Sequence, residues 1–189
     1  MNLIQRILPC LLGTVFLWGG AVINASELKG KYVKPLINPR LFGEDLAMAG
    51  NERDEYATNL AAYAVKNLRD SKADQVSLDF TRQILGLALH MSPRNRKCLI
   101  VNVQLSRGLM PQPVAGDYDP EVFARLLLTR GQLLEKRPDV SNMMLARYLI
   151  ELAAIIDPRN EDAVYAAELR RVDYGDISWK KLTDASSKP

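Results

Sequence analysis

The chain has 189 residues and a net charge of +3, from 25 Lys and Arg against 22 Asp and Glu. That bias is too small to indicate a nucleic-acid partner. One histidine and two cysteines are too few for an ordinary zinc ligand set, and no glycine-rich phosphate loop is present, so neither a metal nor another cofactor is expected.

Residues 1–25 read as a targeting segment. Arg6 precedes an uncharged apolar run (ILPCLLGTVFLW, residues 7–18), and Gly19-Gly20-Ala21 and Ile23-Asn24-Ala25 offer two small-residue cleavage contexts. A basic start, an apolar segment and small residues form the order of a secretory signal. The same stretch, apolar over 7–25, approaches the length of a membrane anchor. Cleavage is the preferred reading, with anchoring its alternative; both place the remainder outside the cytoplasm, in a periplasmic or similar space. Cleavage leaves 164 residues (189 − 25), enough for one domain. It also removes Cys10, so no internal disulfide can form, and Cys98 is expected to be a small buried hydrophobe beside Leu99 and Ile100.

Residues 26–52 hold the breakers Gly30, Pro35 and Pro39 and no sustained period. They read as an extended tether, with Leu41, Phe42 and Leu46 able to dock. From Asp54 onward the period is helical. Tyr56, Leu60, Tyr63, Ala64 and Leu68 form one stripe at steps of three and four. A second helix is predicted over 74–91, with Leu78, Leu85, Ala88 and Leu89 on its face and Pro93 as its stop. A third covers 95–107 and closes on Gly108. Residues 109–118 (LMPQPVAGDY) are a loop by composition. Asp119-Pro120-Glu121 starts a fourth helix carrying Phe123, Leu126, Leu127, Leu133 and Leu134. A fifth, over 140–156, is apolar nearly all round and is expected to be the most buried element. Pro158 ends it, and a sixth runs from Asn160 to Tyr174 before Gly175. Trp179 is expected to cover the end of the last helices, and residues 183–189 read as a disordered tail. No stretch alternates long enough for a sheet.

The phrase Ser92-Pro93-Arg94-Asn95 returns as Asp157-Pro158-Arg159-Asn160, 65 residues later (158 − 93). Within the second copy, Ala146, Ile150, Ala153 and Pro158 stand at spacings of four, three and five, with Ala88 and Pro93 at the matching places of the first. This pattern resembles the second helix of the tetratricopeptide repeat family, and Asn160-Glu161-Asp162-Ala163 is similar to the start of the family's next first helix. The resemblance covers roughly residues 54–176. It implies an all-α fold of about six helices, with stacked helical hairpins over 53–182 held close by small side chains. Gly86 and Gly131 are expected to serve the same close approach. The family's asparagine-and-lysine carboxylate clamp is not reproduced, which favours an apolar groove for a helix or extended segment.

An exported protein-binding adaptor without catalytic activity is therefore expected. A permanent subunit of an envelope or secretion complex is the alternative, and a helical hydrolase with paired carboxylates a more distant one. The resemblance places Lys97, Ile100, Gln104, Tyr165 and Leu169 on the binding face. Arg94, Arg96 and Lys97 form a basic patch able to receive an acidic partner. His90 is expected at the surface or at a helix end, in a structural role. Adjacent acids such as Asp54-Glu55 point about 100° apart on a helix and do not converge. The membrane is expected as a partner only through an uncleaved N-terminus.

Overall fold

A computed structural model describes residues 28–38, 41–43, 46–137 and 139–184. The targeting segment at 1–25 lies outside these residues, as does the tail beyond Asp184. The fold is all-α, with α1 (Gly50–Asp70), α2 (Gln75–Met91), α3 (Arg96–Ser106), α4 (Pro120–Glu135), α5 (Val140–Ile156), α6 (Glu161–Tyr174) and a short α7 (Lys180–Thr183). The described residues contain no β-strand; isolated bridges occur, one of them parallel between Leu36 and Asp184. None of the described helices is long and apolar enough to cross a membrane.

The proline-marked offset is visible in the caps. Asp74 and Asp139 each accept the amide three residues on, Ser77 N at 2.8 Å and Asn142 N at 2.9 Å. Asn95 and Asn160 repeat this with Cys98 N at 3.0 Å and Ala163 N at 3.1 Å. A side-chain oxygen at this position satisfies one of the orphan amides of a helix start. Two similar assemblies result: α1 and α2 pack as a hairpin with α3 against both, and α4 and α5 pack as a hairpin followed by α6. Ala88, Ala146, Ile150 and Ala153 are buried within them, while Pro93 and Pro158 sit exposed in the turns. Gly108 and Gly175 follow α3 and α6 at φ +73°, the left-handed conformation that glycine adopts without strain.

Small residues mark the closest approaches. A Cβ on Gly131 would lie 2.5 Å from Cγ1 of Ile150, so the glycine lets α4 meet α5. A Cβ on Gly86 would lie 2.6 Å from the Leu182 carbonyl oxygen, so this glycine admits α7 rather than a neighbouring hairpin helix.

Helix α7 is the element the pattern did not announce, and it belongs to a strap. Arg82 and Arg147, which share the 65-residue offset, both donate to its backbone: Arg147 to the Gly175 carbonyl and Arg82 to the Thr183 carbonyl. Between them, the Tyr148 hydroxyl donates to the Ser178 carbonyl and its ring meets Trp179 at 5.3 Å. The strap thus crosses from α5 to α2 instead of stopping over α6, and Thr183, read as tail, is buried. The N-terminal segment lies alongside. The Lys29 amide donates to the Ala73 carbonyl, the Leu36 amide to the Thr183 carbonyl, and the Ala47 amide to Asn142 Oδ1. Tyr32, Phe42, Leu46 and Met48 are buried and Leu41 half-buried.

These coverings correct the expectation for the fifth helix. The most enclosed element is α2, with 11 of 17 residues buried against 8 of 17 in α5. Helix α2 has α1, α3 and α7 packed on it, whereas α5 is packed chiefly by α4 and α6. Apolarity all round did not make α5 the most enclosed helix, because fewer elements pack on it.

Candidate protein-docking site

The expected binding residues fall on the third helix of each assembly, except Arg94, which lies in the turn before α3. Arg94, Arg96, Lys97 and Ile100 are exposed at the start of α3, with Gln104 half-buried one turn on. Tyr165 and Leu169 are exposed on α6, Tyr165 at 69%. The last two line a groove of about 780 Å³ between α4 and α6, and the α3 residues do not. Its opposite wall is Arg125, Thr129 and Gln132, a stripe on α4 at steps of four and three. That stripe was not singled out in the sequence, although its polar, regularly spaced residues mark a face turned from the core.

The groove exists because the second assembly is not closed as the first is. Between α3 and α1 the seam is filled by Cys98, Val101 and Leu105, all buried. At the same offset in α6 stand Ala163, Ala166 and Arg170. Arg170 turns instead to Glu135 at the end of α4 and makes a two-pronged ion pair with it, the strongest geometry for that pair. The seam start differs too. Asn95 Nδ2 reaches the Asp54 carbonyl at 3.0 Å, its carboxylate at 2.9 Å and Thr58 Oγ1 at 2.8 Å, pinning the turn before α3 onto α1. Asn160 keeps its cap without such contacts to α4 among the described residues. With smaller side chains and no pin at its start, α6 stands off α4 over its first turns and leaves a space that the Arg170–Glu135 pair bounds at the other end.

The groove offers apolar side chains in Leu128, Tyr165 and Leu169 beside hydrogen-bonding and charged groups in Thr129, Gln132, Arg125 and Asp162. A polypeptide segment matches that mixture, with side chains for the apolar ledge and backbone amides for the polar wall.

The remaining chemistry-bearing side chains are used in packing. Cys98 is buried, its thiol 3.2 Å from the Ala57 carbonyl, and burial reinforced by nearby Asp54 pushes it up to about 12. That places it out of reach of a partner's cysteine and makes it a poor nucleophile. Asp54 and Glu55 diverge as adjacent acids should. Asp54 accepts from Ser92 and Asn95, and Glu55 from the Tyr118 hydroxyl at 2.7 Å. Among the described residues no group of three or more His, Cys, Asp and Glu could hold a metal ion.

His90 lies in the last turn of α2, as one reading had it, but it is buried rather than at the surface. Its Nδ1 is 3.0 Å from the Asn38 carbonyl and its Nε2 3.2 Å from the Leu182 carbonyl, so the ring lies between the N-terminal segment and α7, and in its neutral form its single N–H donates to one of these carbonyls at a time. Burial holds its pKa below the ordinary imidazole value, with the two carbonyls opposing that shift. The unfolded chain therefore binds this proton more readily. The stability is complete above an ordinary imidazole pKa of about 6.5 and falls as the pH drops below it. Urea midpoints should decline between about pH 7 and pH 5.5, and less steeply in His90→Gln; parallel slopes would show that other groups carry the effect.

No known protein family, no curated protein and no solved structure matches the chain.

Proposed function

We propose that the protein is an exported, tetratricopeptide-like adaptor that holds a segment of another protein in the groove between α4 and α6. The observation that carries this reading is the open seam, with solvent-facing Tyr165 and Leu169 on one wall and the Arg125–Thr129–Gln132 stripe on the other. The repeated caps and the small residues at close helix approaches support the tetratricopeptide-like reading. The apolar start of the chain supports export. No catalytic role is assigned to any residue, since the paired carboxylates, the thiol and the imidazole serve packing contacts.

A photo-crosslinking amino acid at Thr129, in the groove, should give a discrete adduct in intact cells, whereas one at exposed Val76 on α2 should not. Combining the probe with Tyr165→Ala and Leu169→Asp should remove that adduct, because truncated anchors commonly cost more than about 1 kcal/mol of binding. Equal labelling from both probe positions, or an adduct indifferent to the two substitutions, would refute the groove as the binding site.

A further inference from the structure

Helices α3 and α6 occupy corresponding places and begin with opposite charge. Arg96 and Lys97 open α3, and Glu161 and Asp162 stand at the same positions of α6. All four side chains are exposed, and among the described residues none of them forms an ion pair. Two acids at the start of α2 are otherwise engaged: Asp74 caps the Ser77 amide, and Asp79 accepts from Gln75. Carboxylates suit the positive end of α6, while cations at the same end of α3 are repelled by their own helix. One turn beyond the charges each helix presents apolar side chains to solvent, Leu99 and Ile100 on α3 and Tyr165 and Leu169 on α6. The apolar line continues on α6 to Val172, which is 82% exposed.

We propose that these faces meet each other, the basic start of α3 in one molecule lying against the acidic start of α6 in a second copy, with Ile100 beside Tyr165. Charge complementarity chooses this occupant. Pairing α3 with α3 sets cations together and pairing α6 with α6 sets carboxylates together, whereas α3 with α6 satisfies both and covers both apolar ledges. Because two different surfaces meet, the contact is head-to-tail rather than two-fold. It does not depend on the adaptor reading. Tyr165 and Leu169 belong to both surfaces, however, so a second copy and a captured segment would compete for α6.

Sedimentation velocity on the full-length protein, from micromolar to submillimolar concentration, tests this. The unmodified chain should show concentration-dependent association that weakens as salt is raised. R96E/K97E and E161K/D162K should each associate at least about tenfold more weakly. An equimolar mixture of these two variants should recover association, since the reversed α3 of one then faces the reversed α6 of the other. That recovery would also show that both variants are folded. A monomer throughout the concentration range, association unmoved by either reversal, or a mixture no stronger than its components would each overturn the proposal.

Discussion

Replacing Leu85 by alanine is expected to lower the unfolding free energy by about 3–5 kcal/mol, the upper part of the range for a buried leucine. Leu85 is fully buried in α2 and sits beside Gly86, on whose surface the Leu182 backbone rests. The transfer cost of the lost methyl groups is similar at any buried leucine. What varies is the cavity left behind, and a cavity costs most where the surroundings cannot relax into it. Helix α2 is enclosed by α1, α3 and α7, and in its last turn His90 is buried between the Asn38 and Leu182 carbonyls. An inward shift of α2 would pull on all of these, so the site should collapse little. Leu133→Ala on α4, where the side chain is 45% exposed, supplies the contrast and should change stability by no more than about 0.5 kcal/mol. Urea unfolding of the two variants decides the matter: similar losses would mean that α2 is no more constrained than the surface of α4.

The helix boundaries were legible because they are written locally. Proline after α2 and α5, asparagine before α3 and α6, and glycine after α3 and α6 act within a turn or two of where they stand. The same local signal missed the start of α1, which begins at Gly50 without a side-chain cap, ahead of the expected Asp54. What lies on top of the helices was not legible. Tyr32, Phe42, Leu46 and Met48 follow no period, and their burial is set by distant partners such as Thr183, Ser141 and Asn142. Leu182 gave no more warning, as one apolar residue in a four-residue helix. The misjudged rank of α5 and the surface reading of His90 share this cause. Each depended on whether a strap ran past, and sequence period reports which face is apolar without saying what covers it.

The groove was partly legible. Tyr165 and Leu169 came from the family frame, but the reason for an opening is comparative. It appears once Leu105 is set against Arg170 and Val101 against Ala166 at the shared offset. A smaller or charged residue standing at the shared offset from a large one is a readable sign of an unfilled seam, provided that the pairing of α3 with α1 and of α6 with α4 is known. The opposite wall needed that pairing as well, since nothing in Arg125, Thr129 and Gln132 alone separates a groove lining from ordinary solvated surface.

The two cap asparagines turn that comparison into a measurement. Asn95→Ala is expected to cost about 2–3 kcal/mol, and Asn160→Ala about 1 kcal/mol, although both remove the same helix cap. The shared part is the side-chain oxygen that accepts the amide three residues on, from Cys98 in one copy and Ala163 in the other. The difference lies in the amide nitrogen. That of Asn95 is buried and donates to Asp54 and Thr58 on α1, and the Ser92 hydroxyl reaches the same Asp54 carboxylate at 2.8 Å. Alanine there also removes a buried amide's hydrogen bonds to a carboxylate, and bonds to a charged group contribute more than neutral ones, so their loss adds to that of the cap. Asn160 is only half-buried, and water can replace what its amide gives up. If the pin holds the first seam shut, Asn95→Ala should also increase amide exchange in α3 relative to α2, while Asn160→Ala leaves the already open second seam unchanged. Equal losses from the two substitutions would mean that the cap alone matters, and that the groove owes its opening to the smaller side chains of α6 rather than to the missing pin.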